Sequence, residues 1–160
     1  MILVFGKTGQ VGNELNKLDN VKALNRNDAN LFDPNLCSKI IREYLPIAVI
    51  IAAGYTSVDK AEMEDESAYK INSLAAGVIA NTCMEINIPL IYISTDYVFS
   101  GLNYNSWKPE DHTLPINKYG QSKLAGEKAV INSGARFAIL RTSWVISSHG
   151  SNFVKNMLVI

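Results

Sequence analysis

Short apolar runs alternate with helical patterns along the whole chain, and this alternation constrains the fold more than any other feature. The apolar runs are residues 2–5, 21–24, 47–53, 90–93 and 137–140. The helical patterns lie at about 11–18, 35–45, 64–87 and 117–133. Each apolar run is short enough for a strand and continuous enough to be buried on both faces. The pattern predicts an α/β fold, a doubly wound parallel sheet whose strands end along one edge.

Bulk composition describes one ordinary globular domain. The chain has 160 residues, 48% of them hydrophobic, and a formal net charge of +0, so we expect one domain over residues 1–160 and no nucleic-acid partner. The apolar start is too short for a signal peptide, and no later run is long enough to span a bilayer. We therefore expect a cytoplasmic protein without a membrane partner. Cys37 and Cys83 lie far apart in predicted helices, so we expect buried thiols rather than a disulfide or a zinc site.

Three glycines follow the first predicted strand and open the first predicted helix. In this position Gly6 permits a sharp turn, Gly9 lets backbone N–H groups approach a pyrophosphate, and Gly12 lets the helix pack on the strand. The spacing indicates a dinucleotide site. A tight turn without a ligand would also favour glycine, so the triplet alone leaves both interpretations open.

The end of the second strand bears on the choice of cofactor. An enzyme that uses NAD would favour a carboxylate there for the ribose hydroxyls, but the residues are Asn25 and Arg26. An amide followed by a guanidinium suits a 2′-phosphate and favours NADPH over NADH, although Arg26 as a solvated charge is the alternative. The small residues ending with Gly54 leave room for a cofactor or for a closely packed helix.

Tyr119 and Lys123 are four positions apart on a predicted helix and face the same way. A phenol with a pKa of ~10 is a poor catalyst at neutral pH, and an adjacent ammonium stabilises its phenolate. Thr95, directly after the fourth strand, would hydrogen-bond the same substrate oxygen. Together with the glycine turn, these residues indicate hydride transfer with a proton donor. The alternative for Tyr119 and Lys123 is a surface pair.

Five ordered blocks carry a family resemblance: GKTGQVG at 6–12, TSVDKAE at 56–62, STDYVF at 94–99, NKYGQSKLAGE at 117–127 and RTSWV at 141–145. The set resembles the extended short-chain dehydrogenase/reductases and, more narrowly, the dTDP-4-dehydrorhamnose reductases. The resemblance implies a Rossmann fold and an NAD(P)H-dependent oxidoreductase. Members of that family reduce the C4 keto group of a dTDP-linked 4-keto-6-deoxy sugar to give dTDP-L-rhamnose for cell-surface polysaccharide.

The resemblance also implies roles for individual residues. Tyr119 is the proton donor, Lys123 lowers its pKa and holds the nicotinamide ribose, and Thr95 tunes the same hydrogen bond. The residues implied to line the cofactor are Gln10, Val11, Gly54, Tyr55 and Thr56, with Asn25, Asn30 and Leu31 around its adenosine half. Those implied to contact the nucleotide sugar are Thr95, Asp96, Tyr119 and Trp144, with Val58 and Tyr97 beside them.

Departures from the family keep alternatives open. Asn25 stands where relatives often carry Asp, and Tyr55 where His is common. Relatives are nearly twice as long, so we expect the C-terminal substrate lobe to be absent and the chain to end inside its last helix. In relatives Glu14 helps to bind Mg²⁺ at a homodimer interface with carboxylates of that absent half, so no metal site is complete here.

Three functional alternatives follow: an inactive truncated remnant, a non-catalytic dinucleotide-binding regulatory subunit, and a reductase of another nucleotide-linked 4-keto sugar. Tyr97 occupies the position where a 4,6-dehydratase of this scaffold carries a glutamate base, which disfavours elimination.

Overall fold

The computed structural model describes residues 1–102 and 106–158. Its sheet contains five parallel strands in the order β2-β1-β3-β4-β5. The strands are β1 (Ile2–Phe5), β2 (Val21–Leu24), β3 (Ala48–Ile51), β4 (Leu90–Thr95) and β5 (Phe137–Thr142). The predicted parallel α/β fold is confirmed. The first two strands have the predicted bounds, β3 is shorter than predicted, and β4 and β5 each continue two residues further.

Helices connect the strands as predicted. They are α1 (Gln10–Leu15), α2 (Pro34–Tyr44), α3 (Asp65–Tyr69), α4 (Ala75–Glu85), α5 (Lys118–Asn132) and α6 (Phe153–Leu158). Short 3₁₀ turns lie at Lys60–Glu62 and Asp96–Val98. The sequence predicted that the chain ends inside its last helix. Residues 159–160, on which this prediction depends, lie outside the described residues. In the part of the chain that the structure describes, no helix is both long and apolar enough to cross a bilayer.

The predicted helix at 64–87 is interrupted by a π-helical turn, Lys70–Leu74, between α3 and α4. The hydroxyl of Tyr92 donates a hydrogen bond to the backbone oxygen of Asn72, 2.8 Å away, within this turn. Because this carbonyl bonds a side chain of the neighbouring strand, it does not keep the regular hydrogen bond of an α-helix, which accounts for the wider turn here. The apolar pattern alone gave no sign of this interruption.

Burial differs between the two faces of the sheet. One face packs against α2, α4 and α5 and holds most of the core, including Phe5, Ile51, Ile79 and Val130. The opposite face has a small cluster of Val4, Ala23 and Ile50, against which Leu15 of α1 packs. The prediction that every strand is buried on both faces is wrong for β5, where Phe137 and Leu140 are 42% and 48% exposed. β5 lies at the edge of the sheet, and Ile139 is its hydrophobic residue that packs against the main core.

Both cysteines are fully buried, as predicted. Cys37 of α2 and Cys83 of α4 lie in the main core, and burial raises their pKa values to about 11 and about 12. Both side chains are therefore neutral thiols at neutral pH. The predicted loop at 99–115 contains neither helix nor strand in its described residues, 99–102 and 106–115; residues 103–105 lie outside the description.

The glycine turn brings β1 and α1 into close contact. Gly6 has φ +114°, a conformation that side chains rarely adopt, and a Cβ on Gly12 would lie 2.0 Å from the backbone oxygen of Gly6. A Cβ on Gly9 would meet that same oxygen at 3.4 Å, an ordinary contact. The start of α1 therefore requires glycine at positions 6 and 12 for backbone reasons, whereas Gly9 is sterically free to change.

We expect Gly12→Ala to lower the free energy of unfolding by about 1–3 kcal/mol, because the new methyl group forces α1 away from β1. Gly9→Ala is the matched control and should stay within about 0.5 kcal/mol of wild type, since its φ of −74° suits alanine. Urea denaturation of both variants measures the difference. Equal losses in the two proteins would contradict the proposed clash.

Candidate active site

An open pocket of about 500 Å³ lies at the edge of the sheet where the strands end. It brings together most residues that the sequence predicted for a site. These are Gly9, Gln10, Val11, Gly54, Tyr55, Thr56, Val58, Thr95, Asp96, Tyr97, Tyr119, Lys123 and Trp144. Because parallel strands and right-handed crossovers direct their loops to one edge, residues far apart in sequence meet there.

Lys123 is buried on the face of α5 that packs against β4. Its Nζ donates a hydrogen bond to the backbone oxygen of Ile93 at 2.7 Å and lies 4.1 Å from the centre of the Tyr92 ring. Burial lowers the pKa of Lys123 to about 7, and the carboxylate of Glu127, one turn further along the helix, opposes this effect. This lysine is therefore not the surface residue of the alternative interpretation.

Tyr119 is partly buried beside Thr95, and its ring packs edge-on against Tyr97 with centroids 5.6 Å apart. Burial raises the pKa of Tyr119, the hydrogen bond with Thr95 lowers it, and the charges of Asp96 and Tyr97 raise it further. The net effect is a raised pKa of Tyr119. The predicted lowering of this pKa by Lys123 is therefore not seen in the protein without a cofactor. A phenol with a raised pKa keeps its proton at neutral pH.

The turn after β4 sets the positions of Thr95, Asp96 and Tyr97. Thr95 Oγ1 accepts a hydrogen bond from the backbone N–H of Tyr97 and donates one to Asp96 Oδ1, both at 3.2 Å. This cap starts the 3₁₀ turn directly at the end of the strand. The hydroxyl of Thr95 is thus fixed beside Tyr119, while Asp96 is exposed at the pocket.

Asn72 is a site residue that the sequence prediction missed. Its Oδ1 accepts a hydrogen bond from the backbone N–H of Tyr55, and its Nδ2 donates to the Tyr55 backbone oxygen and to Ser122 Oγ. These bonds fix the segment after β3 that carries Gly54 and join it to α5. The one available signal was the Asn-Ser pair at 72–73, two polar residues inside an otherwise apolar helical pattern.

A second contact that the sequence did not reveal covers the glycine turn. Gln10 Nε2 donates to the backbone oxygen of Val145, and Gln10 Oε1 accepts from Ser147 Oγ and Asn152 Nδ2. The backbone oxygen of Gln10 lies 3.2 Å from His149 Nε2. Residues 145–152 are thereby attached to the first turn of α1, and with Trp144 they form one wall of the pocket.

The residues predicted around the adenosine lie beyond the pocket, at and after the end of β2. Asn25 Oδ1 accepts bonds from the N–H groups of Asn27 and Asp28, and Arg26 is exposed. Asp28 Oδ2 accepts from the N–H of Asn25 at 2.9 Å, so a carboxylate does lie at this strand end, contrary to the sequence analysis. Leu31 belongs to the hydrophobic core, and Asn30 Oδ1 accepts from Phe32 N–H.

The described residues around Glu14 do not by themselves form a magnesium site. Its carboxylate accepts a bond from Lys17 Nζ at 2.7 Å and lies 3.4 Å from His149 Nδ1. Among the described residues, no group of three or more His, Cys, Asp or Glu side chains could hold a metal ion. A hard divalent cation prefers several oxygen ligands, and the neighbours of this carboxylate are nitrogens.

The parallel sheet and its glycine turn define an α/β domain of the Rossmann type. The family model described as RmlD substrate binding domain matches residues 1–160, and the chain belongs to this family.

Relatives and solved structures agree with this assignment. The dTDP-4-dehydrorhamnose reductase of Escherichia coli (strain K12) is 42% identical over 165 residues, which cover 98% of this chain and 55% of that protein. The crystal structure of dTDP-4-dehydrorhamnose reductase from Bacillus anthracis str. Ames in complex with NADP has a TM-score of 0.94 at 34% identity, over 99% of this chain and 58% of that one. The crystal structure of a dTDP-4-dehydrorhamnose reductase from Clostridium acetobutylicum ATCC 824 has a TM-score of 0.92, also at 34% identity, with the same coverage. The chain spans about half the length of the curated relatives it matches.

The buried lysine predicts a specific pH dependence of stability. The folded-state pKa of Lys123, about 7, is below the ordinary value of 10.5. Between these two pH values the unfolded chain holds a proton that the folded chain has released, so this group makes stability rise with pH, by up to about 1.4 kcal/mol per pH unit. We expect the stability of Lys123→Met relative to wild type to be highest below pH 7 and to fall as the pH rises.

Urea denaturation of wild type and Lys123→Met from pH 6 to 9.5 checks this expectation. Lys128→Met removes an exposed lysine from the same helix and is the matched control. A difference between wild type and Lys123→Met that does not change with pH would rule out the lowered pKa.

Proposed function

We propose that this chain takes part in the NAD(P)H-dependent reduction of the C4 keto group of dTDP-4-dehydrorhamnose to dTDP-L-rhamnose. The observation that carries the proposal is the placement of the Tyr119 phenol beside Thr95, with buried Lys123 on the same helix face. Residues 1–160 act as the dinucleotide-binding domain of such an enzyme. The names of its relatives support the substrate, and the NADP-bound relative supports the cofactor.

The side chains have distinct tasks in this reaction. Tyr119, protonated at neutral pH, donates its proton to the C4 oxygen. The Thr95 hydroxyl turns its proton from Asp96 Oδ1 and donates it in a hydrogen bond to the same oxygen as negative charge develops there. Lys123 is charged in part near neutral pH, so its positive charge favours the phenolate that remains after proton transfer. When bound, NAD(P)H supplies the hydride. Val58, Asp96, Tyr97 and Trp144 provide the surface against which the nucleotide sugar lies.

The cofactor fits the edge of the sheet. Gly9 lines the pocket, and without a side chain it lets backbone N–H groups approach a phosphate. Gln10, Val11, Gly54, Tyr55 and Thr56 line the same pocket. The adenosine half extends toward Asn25, Arg26 and Asn30 at the end of β2. The guanidinium of Arg26 favours NADPH, whereas the carboxylate of Asp28 favours the free ribose hydroxyls of NADH.

We expect the chain to bind NADPH about tenfold more tightly than NADH, because a charge-assisted contact to the 2′-phosphate contributes about 1.5–3 kcal/mol. Arg26→Ala should remove the preference, and Asp28→Asn should increase it. Fluorescence titration of the three proteins with both cofactors measures this. Equal affinities for the two cofactors in wild type would contradict the assignment of Arg26.

Turnover tests the proposed acid. Because the chain spans about half of its relatives, the assay compares the 160-residue protein with a chimera that continues after Ile160 with the remaining part of the E. coli relative. In the chimera we expect Tyr119→Phe to lower kcat at least 100-fold and to leave NADPH affinity within about twofold, since only the proton donor is lost.

Tyr44→Phe, which removes an exposed phenol that does not line the pocket, is the control and should leave kcat unchanged. A Tyr119→Phe chimera that oxidises NADPH at the unsubstituted rate would exclude Tyr119 as the acid. An active chimera on a UDP- or GDP-linked 4-keto sugar, but not on the dTDP sugar, would favour a reductase of another nucleotide sugar. NADPH binding without turnover in any form would favour a remnant or a regulatory subunit.

A further inference from the structure

Glu127 is a buried carboxylate to which neither the motifs nor the proposed reaction assigned a task. It lies on α5, one helical turn after Lys123, and is 1% exposed. Its Oε1 accepts hydrogen bonds from Ser94 Oγ at 2.5 Å and from Arg141 Nε at 2.9 Å, and its Oε2 accepts from Arg141 Nη2 at 2.7 Å. A two-point contact between a carboxylate and a guanidinium fixes both distance and orientation.

Arg141 extends this contact beyond the helix. Its Nη1 donates to the backbone oxygen of Pro109 at 2.9 Å, and its guanidinium lies 5.0 Å from the centre of the Phe99 ring. Phe99 in turn stacks on Trp107, with ring centroids 4.7 Å apart and an angle of 6° between the planes. One guanidinium therefore connects α5, the end of β5 and residues 107–109.

These contacts involve the segments that carry the site. Ser94 precedes Thr95, Arg141 is followed by the pocket residues 142–145, and α5 holds Tyr119 and Lys123. Loss of Arg141 would leave the carboxylate of Glu127 buried and uncompensated, whereas loss of Glu127 would free the partly exposed guanidinium of Arg141 from both α5 and the end of β4. Lys123 faces the Tyr92 ring and the backbone oxygen of Ile93 from β4, and the carboxylate of Glu127 from its own helix raises its pKa against the effect of burial.

We propose that Glu127 and Arg141 form a positioning pair for the reductase site, which holds the ends of β4 and β5 and residues 107–109 against the helix that carries Tyr119 and Lys123. This proposal rests on the proposed function. The pair touches neither substrate nor cofactor. It acts by keeping Thr95, Trp144 and Lys123 in their relative positions, and the charge of Glu127 favours the ammonium of Lys123.

The first experiment separates positioning from stability. Glu127→Gln and Arg141→Lys each keep a polar group but lose the two-point contact, and we expect each to weaken NADPH binding about tenfold. The double variant Glu127→Met/Arg141→Met removes both charges and leaves no charge without its partner. Its free energy of unfolding should therefore equal or exceed that of wild type. Its NADPH affinity should stay at the level of the single variants, because the segments are no longer tied together.

The fluorescence of Trp107 reports on the position of residues 107–109 and needs no bound cofactor. The chain has two tryptophans, so a Trp144→Phe background leaves Trp107 as the only emitter. In that background, each Glu127 or Arg141 variant should shift the emission to longer wavelength and increase quenching by acrylamide. Arg42→Met/Glu85→Met, which removes an exposed ion pair between α2 and α4, is the matched control and should change neither.

A pH titration of Lys123 completes the test, by NMR of labelled lysine side chains. Glu127→Gln should move the Lys123 titration to lower pH by about one unit, whereas Glu85→Gln should leave it in place. The proposal is overturned if folded Glu127→Gln and Arg141→Lys proteins keep the wild-type NADPH affinity, Trp107 emission and Lys123 titration. If the double variant does not fold, the two single variants decide. If wild type binds no dinucleotide, the proposed function fails while the Trp107 and Lys123 measurements still test the pair.

Discussion

The polar contact between α5 and β4 is the interaction on which the site depends. The helix turns Ser122, Lys123 and Glu127 inward, where a soluble helix would normally place apolar residues. Burying these groups is unfavourable unless each finds a partner, and within residues 1–102 and 106–158 no buried side-chain nitrogen or oxygen lacks one. At least one partner of each side chain lies on a neighbouring strand or turn. The position of the helix is therefore determined by directed hydrogen bonds as well as by packing, and with it the position of Tyr119.

Burial gives the two central side chains complementary properties. It raises the pKa of Tyr119 and lowers the pKa of Lys123, because the charged form of each residue is disfavoured in an apolar environment. The result is a proton donor that holds its proton and an ammonium close to its titration point. Groups with pKa values displaced in this way are typical of acid–base sites. On a solvated helix surface the same residues at the same spacing would keep their ordinary pKa values.

The sequence was sufficient for the fold because the fold follows from local patterns, whereas most of the pocket residues were predicted only through the family resemblance. Continuous apolar runs located β1 and β2 to the residue, and the strand ends identified Thr95 and Gly54. Features that depend on which elements become neighbours were not predictable. The exposure of β5 follows from its place at the sheet edge, the π turn from a bond between Tyr92 and a distant carbonyl, and the position of the Asp28 carboxylate from the folding of its turn.

The same neighbour effects connect the segment after β3 to α5. Asn72 bonds the backbone of Tyr55, whose segment lies at the proposed cofactor position, and its Nδ2 donates to Ser122 on the helix that carries Tyr119. Its carbonyl holds the hydroxyl of Tyr92, and the Tyr92 ring lies under the ammonium of Lys123. A displacement of the segment after β3 is thus transmitted to Lys123 through two hydrogen-bonded side chains. The free-energy contributions of contacts shared in this way are not additive. The position of the segment after β3 and the charge of Lys123 therefore depend on each other.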